Sequence, residues 1–333
     1  MSRTSSVRPG HAHGAADRRT ATDRRTATGR RSAARRSAAR RARLRNRLLL
    51  AAGAVLAVVA VTVTLVLVST GTPGGVSAPP SDGPTGPALA AVGRDLTTVP
   101  ASTLDAVGGG SLATADIGSA TVVGGGYLAP VAGPPLTSGG QPEVLYVGAG
   151  FCPYCAAVRW PLIVSLSRFG SFSGLTPDRS AVTAGSGQQE PYPATPTWTF
   201  YGSSYASRYV AFTPVETSSA VPDRATGGYV ALQVPTAAQQ ATLARYDVSN
   251  AIPFIDIGNR YVQMSVLSPY GPQDLAGQTW GQIAAAVRDP SSALGRAIDA
   301  SANYITAAIC TLTGNQPASA CTQAIRALQP RLG

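Results

Sequence analysis

An uncharged apolar run of 21 residues, Leu48 to Val68, constrains this chain more than any other sequence feature. A helix of that length, at about 1.5 Å per residue, spans the roughly 30 Å hydrocarbon core of a bilayer. The preceding residues 1–47 carry 15 arginines and only two aspartates. We therefore expect residues 48–68 to be an uncleaved signal anchor that crosses the membrane once. A cleaved signal peptide is the alternative, although its charged region would be unusually long.

The arginines also predict the orientation of the chain. The positive-inside rule keeps an arginine-rich segment such as residues 40–45 on the cytoplasmic face of a bacterial cytoplasmic membrane, so everything after Val68 is expected outside the cytoplasm. The tail, residues 1–47, contains almost nothing that could form a core, and we expect it to be disordered. Its charge favours contact with the anionic lipid bilayer, and a nucleic-acid partner is the disfavoured alternative.

Composition divides the rest of the chain into a linker and one domain. Residues 69–87 are mostly Gly, Pro, Ser and Thr, which is typical of a linker. Residues 88–333 are expected to form one extracytoplasmic domain, with an insertion at about 170–228. Lysine is absent from the whole sequence, and its only histidines, His11 and His13, lie in the tail. The domain therefore cannot hold a Ser-His-Asp or Cys-His catalytic site, and most zinc enzymes are excluded as well.

Cysteines are confined to the region beyond the apolar run, as two local pairs: Cys152 with Cys155, and Cys310 with Cys321. An even number of cysteines in an exported domain suggests two disulfides. The later pair brackets a helix-breaking segment with one Gly and one Pro, between an apolar segment (302–309) and a short final helix (322–328). We expect the Cys310–Cys321 bond to be structural and to staple a C-terminal helical hairpin; a second redox centre is the alternative.

The earlier pair forms the motif Cys152-Pro153-Tyr154-Cys155, which follows a strand-like run at 143–148 and precedes a helical pattern at 156–169. A sulfur at a helix N-terminus faces unpaired N–H groups, which stabilise its thiolate. We therefore expect Cys152 to be the attacking thiol and Cys155 the resolving thiol. Pro153 and Tyr154 would form the active-site turn, since proline suits the first helical turn.

A late Ile252-Pro253 pair lies 98 residues after Cys155 and precedes a hairpin turn at Gly258-Asn259. With the CPYC motif, this arrangement is similar to the thioredoxin superfamily, in which a cis proline faces the redox-active cysteines. The resemblance implies that Pro253 is that cis proline and that the backbone of Ile252 pairs with a substrate. A trans proline that opens an edge strand is the alternative.

The pattern of tail, apolar run and two cysteine pairs resembles the membrane-anchored thioredoxin-like family known as domain of unknown function 929. We therefore expect an α/β fold: a thioredoxin-like domain with a long irregular or β insertion and a C-terminal helical hairpin, preceded by a single transmembrane helix. Apolar spacing predicts two further helices, at 275–287 and 291–309. One departure from the superfamily concerns the proton of the second thiol. Many members carry a buried acid six residues before the first cysteine, where this chain has Tyr146.

These features favour a membrane-anchored thiol–disulfide oxidoreductase that acts on protein thiols or disulfides outside the cytoplasm, with oxidation or isomerisation favoured over reduction. Such an enzyme needs no dissolved cofactor and no metal, but it needs a redox partner, which we expect in the membrane. A non-catalytic thioredoxin-fold envelope binding module, with both cysteine pairs as permanent disulfides, is the second hypothesis. A metal site that unites all four thiols is a third, disfavoured by the exported location.

Overall fold

A computed structural model describes residues 82–110, 127–247, 249–264 and 269–332. The expected tail, the expected anchor at 48–68 and most of the expected linker lie outside these residues. Within them, none of the helices combines the length and the apolar character that crossing a membrane requires.

The helices of the described ranges are α1 (Gly86–Thr97), α2 (Ala101–Val107), α3 (Pro153–Leu166), α4 (Ala237–Tyr246), α5 (Trp280–Ala286), α6 (Ala293–Leu312) and α7 (Gln323–Arg326), with 3-10 turns at Pro272–Leu275 and Gln329–Arg331. The strands are β1 (Ala129–Pro130), β2 (Thr137–Ser138), β3 (Gln141–Gly148), β4 (Gly170–Ser173), β5 (Thr176–Arg179), β6 (Pro196–Thr199), β7 (Ser204–Ser207), β8 (Ala211–Glu216), β9 (Ser218–Asp223), β10 (Gly228–Ala231), β11 (Phe254–Ile257) and β12 (Tyr261–Met264).

Strand β3 is the centre of a six-stranded sheet in the order β1-β12-β11-β3-β2, and β8 also pairs with β3. The β3–β8 pair is parallel, whereas β3 pairs antiparallel with β11 and β2, and β12 pairs antiparallel with β11 and β1. Three separate antiparallel pairs, β4–β7, β5–β6 and β9–β10, occupy the region between α3 and α4. The sheet is therefore mixed.

Strand β3 is buried on both faces, which fits its nearly continuous apolar sequence. Val144 and Tyr146 belong to a large core that also includes the apolar residues of α3 and α6. Leu145 and Val147 point to the opposite face and pack in a smaller cluster with Val215 and Phe254. Because side chains alternate along a strand, β3 lies between the two cores. The CPYC motif follows soon after its C-terminal end.

Helix α3 is held against its neighbours by carbonyl groups near an internal proline. Pro161 has no N–H, so it cannot bond to the carbonyl of Ala157 four residues earlier. The Tyr270 hydroxyl donates to that carbonyl instead, at 2.6 Å. The neighbouring carbonyl of Ala156 accepts a hydrogen bond from Thr197 Oγ1 at 2.8 Å. Pro161 therefore leaves a carbonyl group that joins α3 to the chain near Tyr270, and Thr197 joins the same stretch of α3 to β6.

The fold class predicted from the sequence is wrong. The described residues form a mixed fold of sheets and helices rather than the expected α/β fold, and no described helix has the length and apolar character needed to span a membrane. The expected anchor at 48–68 lies outside these residues. An α/β sheet is built mainly from parallel strands joined by helices, whereas four of the five strand pairs described in this sheet are antiparallel. The predicted C-terminal hairpin is also corrected, since α6 spans 20 residues and α7 only four.

Candidate functional site

The CPYC motif forms the junction between β3 and α3. Cys152 is the N-cap residue of α3, and its Sγ accepts a hydrogen bond from the backbone N–H of Cys155 at 3.2 Å. Pro153 is the first residue of the helix, where its missing N–H costs nothing. Tyr154 follows with 44% of its surface exposed, while Cys152 and Cys155 are buried. Both thiols are free, and they lie on the first turn of the helix.

The two thiols differ in their electrostatic surroundings. A hydrogen bond from Cys155 lowers the pKa of the Cys152 thiol below its ordinary value, with further help from the backbone N–H groups of the turn and from Arg159. Burial raises the pKa of the Cys155 thiol well above its ordinary value, although Arg159 acts in the opposite direction. Of the two thiols, Cys152 is therefore the one that ionises at the lower pH.

Ile252 and Pro253 lie against the same turn. The Sγ of Cys152 is 3.8 Å from the carbonyl oxygen of Ile252, and the Ile252–Pro253 peptide bond is cis. Pro253 and Tyr154 line a small pocket together with Tyr270. The fold thus brings the CPYC turn and the distant Ile-Pro pair to one place.

Aromatic side chains border the turn on another side, a feature that the sequence analysis did not identify. The ring of Phe151 stacks on that of Tyr229, with centroids 4.2 Å apart, and Tyr154 meets Tyr192 edge to face at 6.1 Å. Tyr192 lies inside the predicted insertion and Tyr229 directly after it. The only available sequence signal was Tyr192 between two prolines. The chain between α3 and α4 therefore supplies part of the rim of the cysteine turn.

A buried ion pair beneath the cysteines was also missed. Arg159 and Glu216 are both almost fully buried, with Arg159 Nε 2.9 Å from Glu216 Oε1 and Nη2 2.6 Å from Oε2. The same Nη2 donates to the carbonyl of Ala149 at 2.9 Å. A lone arginine in an otherwise apolar helix was the available signal for Arg159. Its partner lies 57 residues later, beyond the reach of any local pattern.

The second cysteine pair is elsewhere in the fold. Cys310 and Cys321 form a disulfide with Cα atoms 5.7 Å apart, which joins the last turn of α6 to the segment before α7. Both residues are buried in the large apolar core. This bond prevents the four thiols from sharing a metal ion. In the part of the chain that the structure describes, no group of three or more His, Cys, Asp or Glu side chains is placed to hold a metal.

Comparison with known proteins gives one finding. Residues 127–223 match the model of a family described as a domain of unknown function, DUF929. The match covers less than a third of the chain and includes both cysteines of the CPYC motif but not Ile252, Pro253 or the second cysteine pair. The resemblance to this family is thereby confirmed for that segment. No curated protein and no solved structure matches the chain.

Proposed function

We propose that this protein is a thiol–disulfide oxidoreductase, anchored in the membrane by residues 48–68, that uses Cys152 and Cys155 on exported proteins outside the cytoplasm. The observation that carries the proposal is the placement of Cys152 Sγ at the N-terminus of α3, 3.2 Å from the N–H of Cys155. A thiolate there is stabilised by the helix dipole and by unpaired N–H groups. The location of the site outside the cytoplasm rests on the sequence argument alone.

The chemistry needs only the two thiols and a substrate. When the Cys152–Cys155 disulfide oxidises a substrate, a substrate thiolate attacks Cys152 Sγ, and Cys155 leaves as a thiolate that takes up a proton. A second substrate thiolate then attacks the substrate sulfur of the mixed disulfide and releases Cys152 as a thiolate. The substrate gains a disulfide and the enzyme becomes a dithiol, so a redox partner in the membrane must reoxidise it. Isomerisation uses the same mixed disulfide without net oxidation.

A relationship to the thioredoxin superfamily is part of this proposal. It is supported by the CPYC turn and by the proximity of the Ile252 carbonyl to Cys152 Sγ. An extended substrate segment that hydrogen-bonds to the backbone of Ile252 would place its cysteine beside Cys152. The exposed ring of Tyr154 and the rim residue Tyr192 would then contact the flanking substrate residues.

The reduction potential of the Cys152–Cys155 couple tests the proposal. The full-length protein in detergent is equilibrated in thiol–disulfide buffers of graded potential, trapped by alkylation and digested with trypsin. Cleavage after arginine places the two cysteine pairs on separate peptides, 95–159 and 297–326, so Cys310–Cys321 serves as an internal reference. We expect the first couple to titrate between about −120 and −200 mV, the range of known oxidants and isomerases, with the second pair still oxidised.

Other values separate the alternatives. A midpoint near about −270 mV would indicate a reductant and overturn the proposed direction. A Cys152–Cys155 disulfide that stays oxidised below about −300 mV would be a structural bond. In that case the proposal would be wrong and the non-catalytic binding module would be favoured.

A further inference from the structure

A buried polar cluster lies directly beneath the cysteine turn. It consists of Tyr146 on β3, Arg159 on α3 and Glu216 on β8, each at most 1% exposed. The two-point ion pair and the bond to the carbonyl of Ala149 fix the guanidinium of Arg159 in one orientation. Burial of such a pair is seldom favourable to stability compared with apolar residues of similar volume. A contribution to stability therefore does not account for this cluster.

Two hydrogen-bond donors of this cluster have no acceptor. The Tyr146 hydroxyl and Arg159 Nη1 are both buried, and neither finds a hydrogen-bond partner among the described residues. An unsatisfied buried donor is costly, and such groups are rare in folded proteins. An anion that forms beside them during a reaction would be stabilised by the hydroxyl and by the positive charge.

Cys155 is the group placed to become that anion. The Tyr146 hydroxyl and Cys155 Sγ crowd the same side of Gly148, where an added Cβ would overlap the hydroxyl and lie 3.1 Å from the sulfur. Arg159 follows Cys155 by four residues and so lies on the same helical face. Its positive charge lowers the pKa of the Cys155 thiol and partly offsets the effect of burial, which is larger.

Other titratable groups also lie around the cluster. Cys152 faces Cys155 from the same turn, and Glu216 faces Arg159 from β8. Asp178 on β5 faces the Arg159–Glu216 pair, and burial raises the pKa of its carboxyl group. The charge of Cys152 raises the pKa of the Cys155 thiol, whereas the charge of Arg159 lowers it.

We propose that Tyr146 and Arg159 are positioning residues that stabilise the thiolate of Cys155 while it resolves the mixed disulfide at Cys152. The inference rests on the function proposed above and takes it one step further. In the resolving step the Cys155 thiol gives up its proton, its thiolate attacks Cys152 Sγ, and the substrate sulfur leaves and ends as a protonated thiol. The Tyr146 hydroxyl donates a hydrogen bond to the transient thiolate, and Arg159 supplies the positive charge. This pair replaces the buried acid that many members of the thioredoxin superfamily carry at the position of Tyr146.

The test uses the full-length reduced protein and 5,5′-dithiobis(2-nitrobenzoate), which releases a coloured thiol in two steps. The first release accompanies attack by Cys152, and the second accompanies resolution by Cys155. In Tyr146→Phe we expect the second phase to slow about tenfold and its pH profile to move up by about one unit, the effect of one lost hydrogen bond to a thiolate. The first phase is expected to stay unchanged.

Tyr127→Phe is the matched control, since Tyr127 is also a buried tyrosine and packs against Tyr304. It should leave both phases as in the wild type. That result would show that losing a buried tyrosine hydroxyl does not by itself slow the second phase. A second variant, Arg159→Met with Glu216→Leu, removes the buried charges without leaving either partner alone. It should also slow the second phase, because the Cys155 thiolate loses the positive charge of Arg159. An unchanged second phase and pH profile in Tyr146→Phe would overturn the inference.

A separate measurement distinguishes failure of the inference from failure of the proposed function. In a Cys152→Ser background, Cys155 is titrated by ¹³C NMR of its labelled Cβ, which requires no redox activity. A higher Cys155 pKa with Tyr146→Phe would support the inference even if the Cys152–Cys155 couple proved inert. An identical Cys155 pKa in the two proteins would overturn it.

Discussion

The two cysteine pairs of this chain lie in opposite kinds of surroundings. Cys152 and Cys155 are free thiols at a helix N-terminus, beside a carbonyl oxygen and above a buried ion pair. Cys310 and Cys321 are joined to each other within an apolar core. Burial is similar in both places, since each of the four residues is at most 6% exposed. Exposure therefore does not distinguish the two pairs, whereas the covalent bond of the second pair and the ion pair beside the first do.

The two regions are also stabilised by different interactions. The first pair contributes no covalent bond in this state, and its neighbourhood depends on the match between Arg159 and Glu216. The second pair closes a loop through a covalent bond. Removal of a charge should therefore damage the first region, and removal of a bond should damage the second.

The largest effect is expected from Glu216→Gln. This change leaves the guanidinium of Arg159 buried without its counter-charge, which costs about 3–5 kcal/mol of unfolding free energy. Urea unfolding of the full-length protein in detergent would measure the loss. The three tryptophans, Trp160, Trp198 and Trp280, are all buried and provide the fluorescence signal.

Two variants control this experiment. Asp82→Asn breaks the more exposed ion pair of Asp82 with Arg179, and should cost less than about 1 kcal/mol. The double change Arg159→Met with Glu216→Leu should restore most of the lost stability, because no charge remains buried alone. Equal losses in Glu216→Gln and Asp82→Asn would contradict the role given to the buried pair.

The next effect is expected from loss of the second disulfide. Cys310→Ala with Cys321→Ala should lower the unfolding free energy by about 2–4 kcal/mol, since the bond restricts the unfolded chain. Cys152→Ala with Cys155→Ala removes the same number of buried sulfur atoms without a bond in the reduced protein. The difference between the two double variants in urea therefore reports the bond itself. If the two lost the same stability, the contrast between the pairs would fail.

Local patterns predicted much of the structure around the first pair. The strand expected at 143–148 is the end of β3, and the helix expected at 156–169 is α3, which begins earlier because Cys152 caps it and Pro153 suits its first turn. The helix expected at 275–287 is broken instead. Gly277 has a positive φ of 73°, and Thr279 forms a capping box that starts α5 at Trp280.

Contacts between distant segments were beyond prediction. The Arg159–Glu216 pair and the contact of Tyr154 with Tyr192 join residues that no sequence period relates. The fold class failed for the same reason, because the direction in which strands pair is a property of the assembled sheet. The Ile-Pro pair was found only through a resemblance to a known superfamily, since nothing local connects it with the cysteines.

The smallest effect concerns the pH dependence of thiol reactivity within the first pair. Since only thiolates react, iodoacetamide should alkylate Cys152 at least about tenfold faster than Cys155 near pH 7, because the pKa of Cys152 is lowered and the pKa of Cys155 is raised. The ratio should fall as the pH rises and Cys155 ionises.

The variant Cys155→Ser retains a hydroxyl donor for the Cys152 thiolate, whereas Cys155→Ala removes the hydrogen bond that is the main cause of the lowered pKa. Mass spectrometry of alkylated Cys152 should therefore give a higher pKa in the alanine variant. The same pKa in both variants would assign the shift to the helix N-terminus rather than to Cys155.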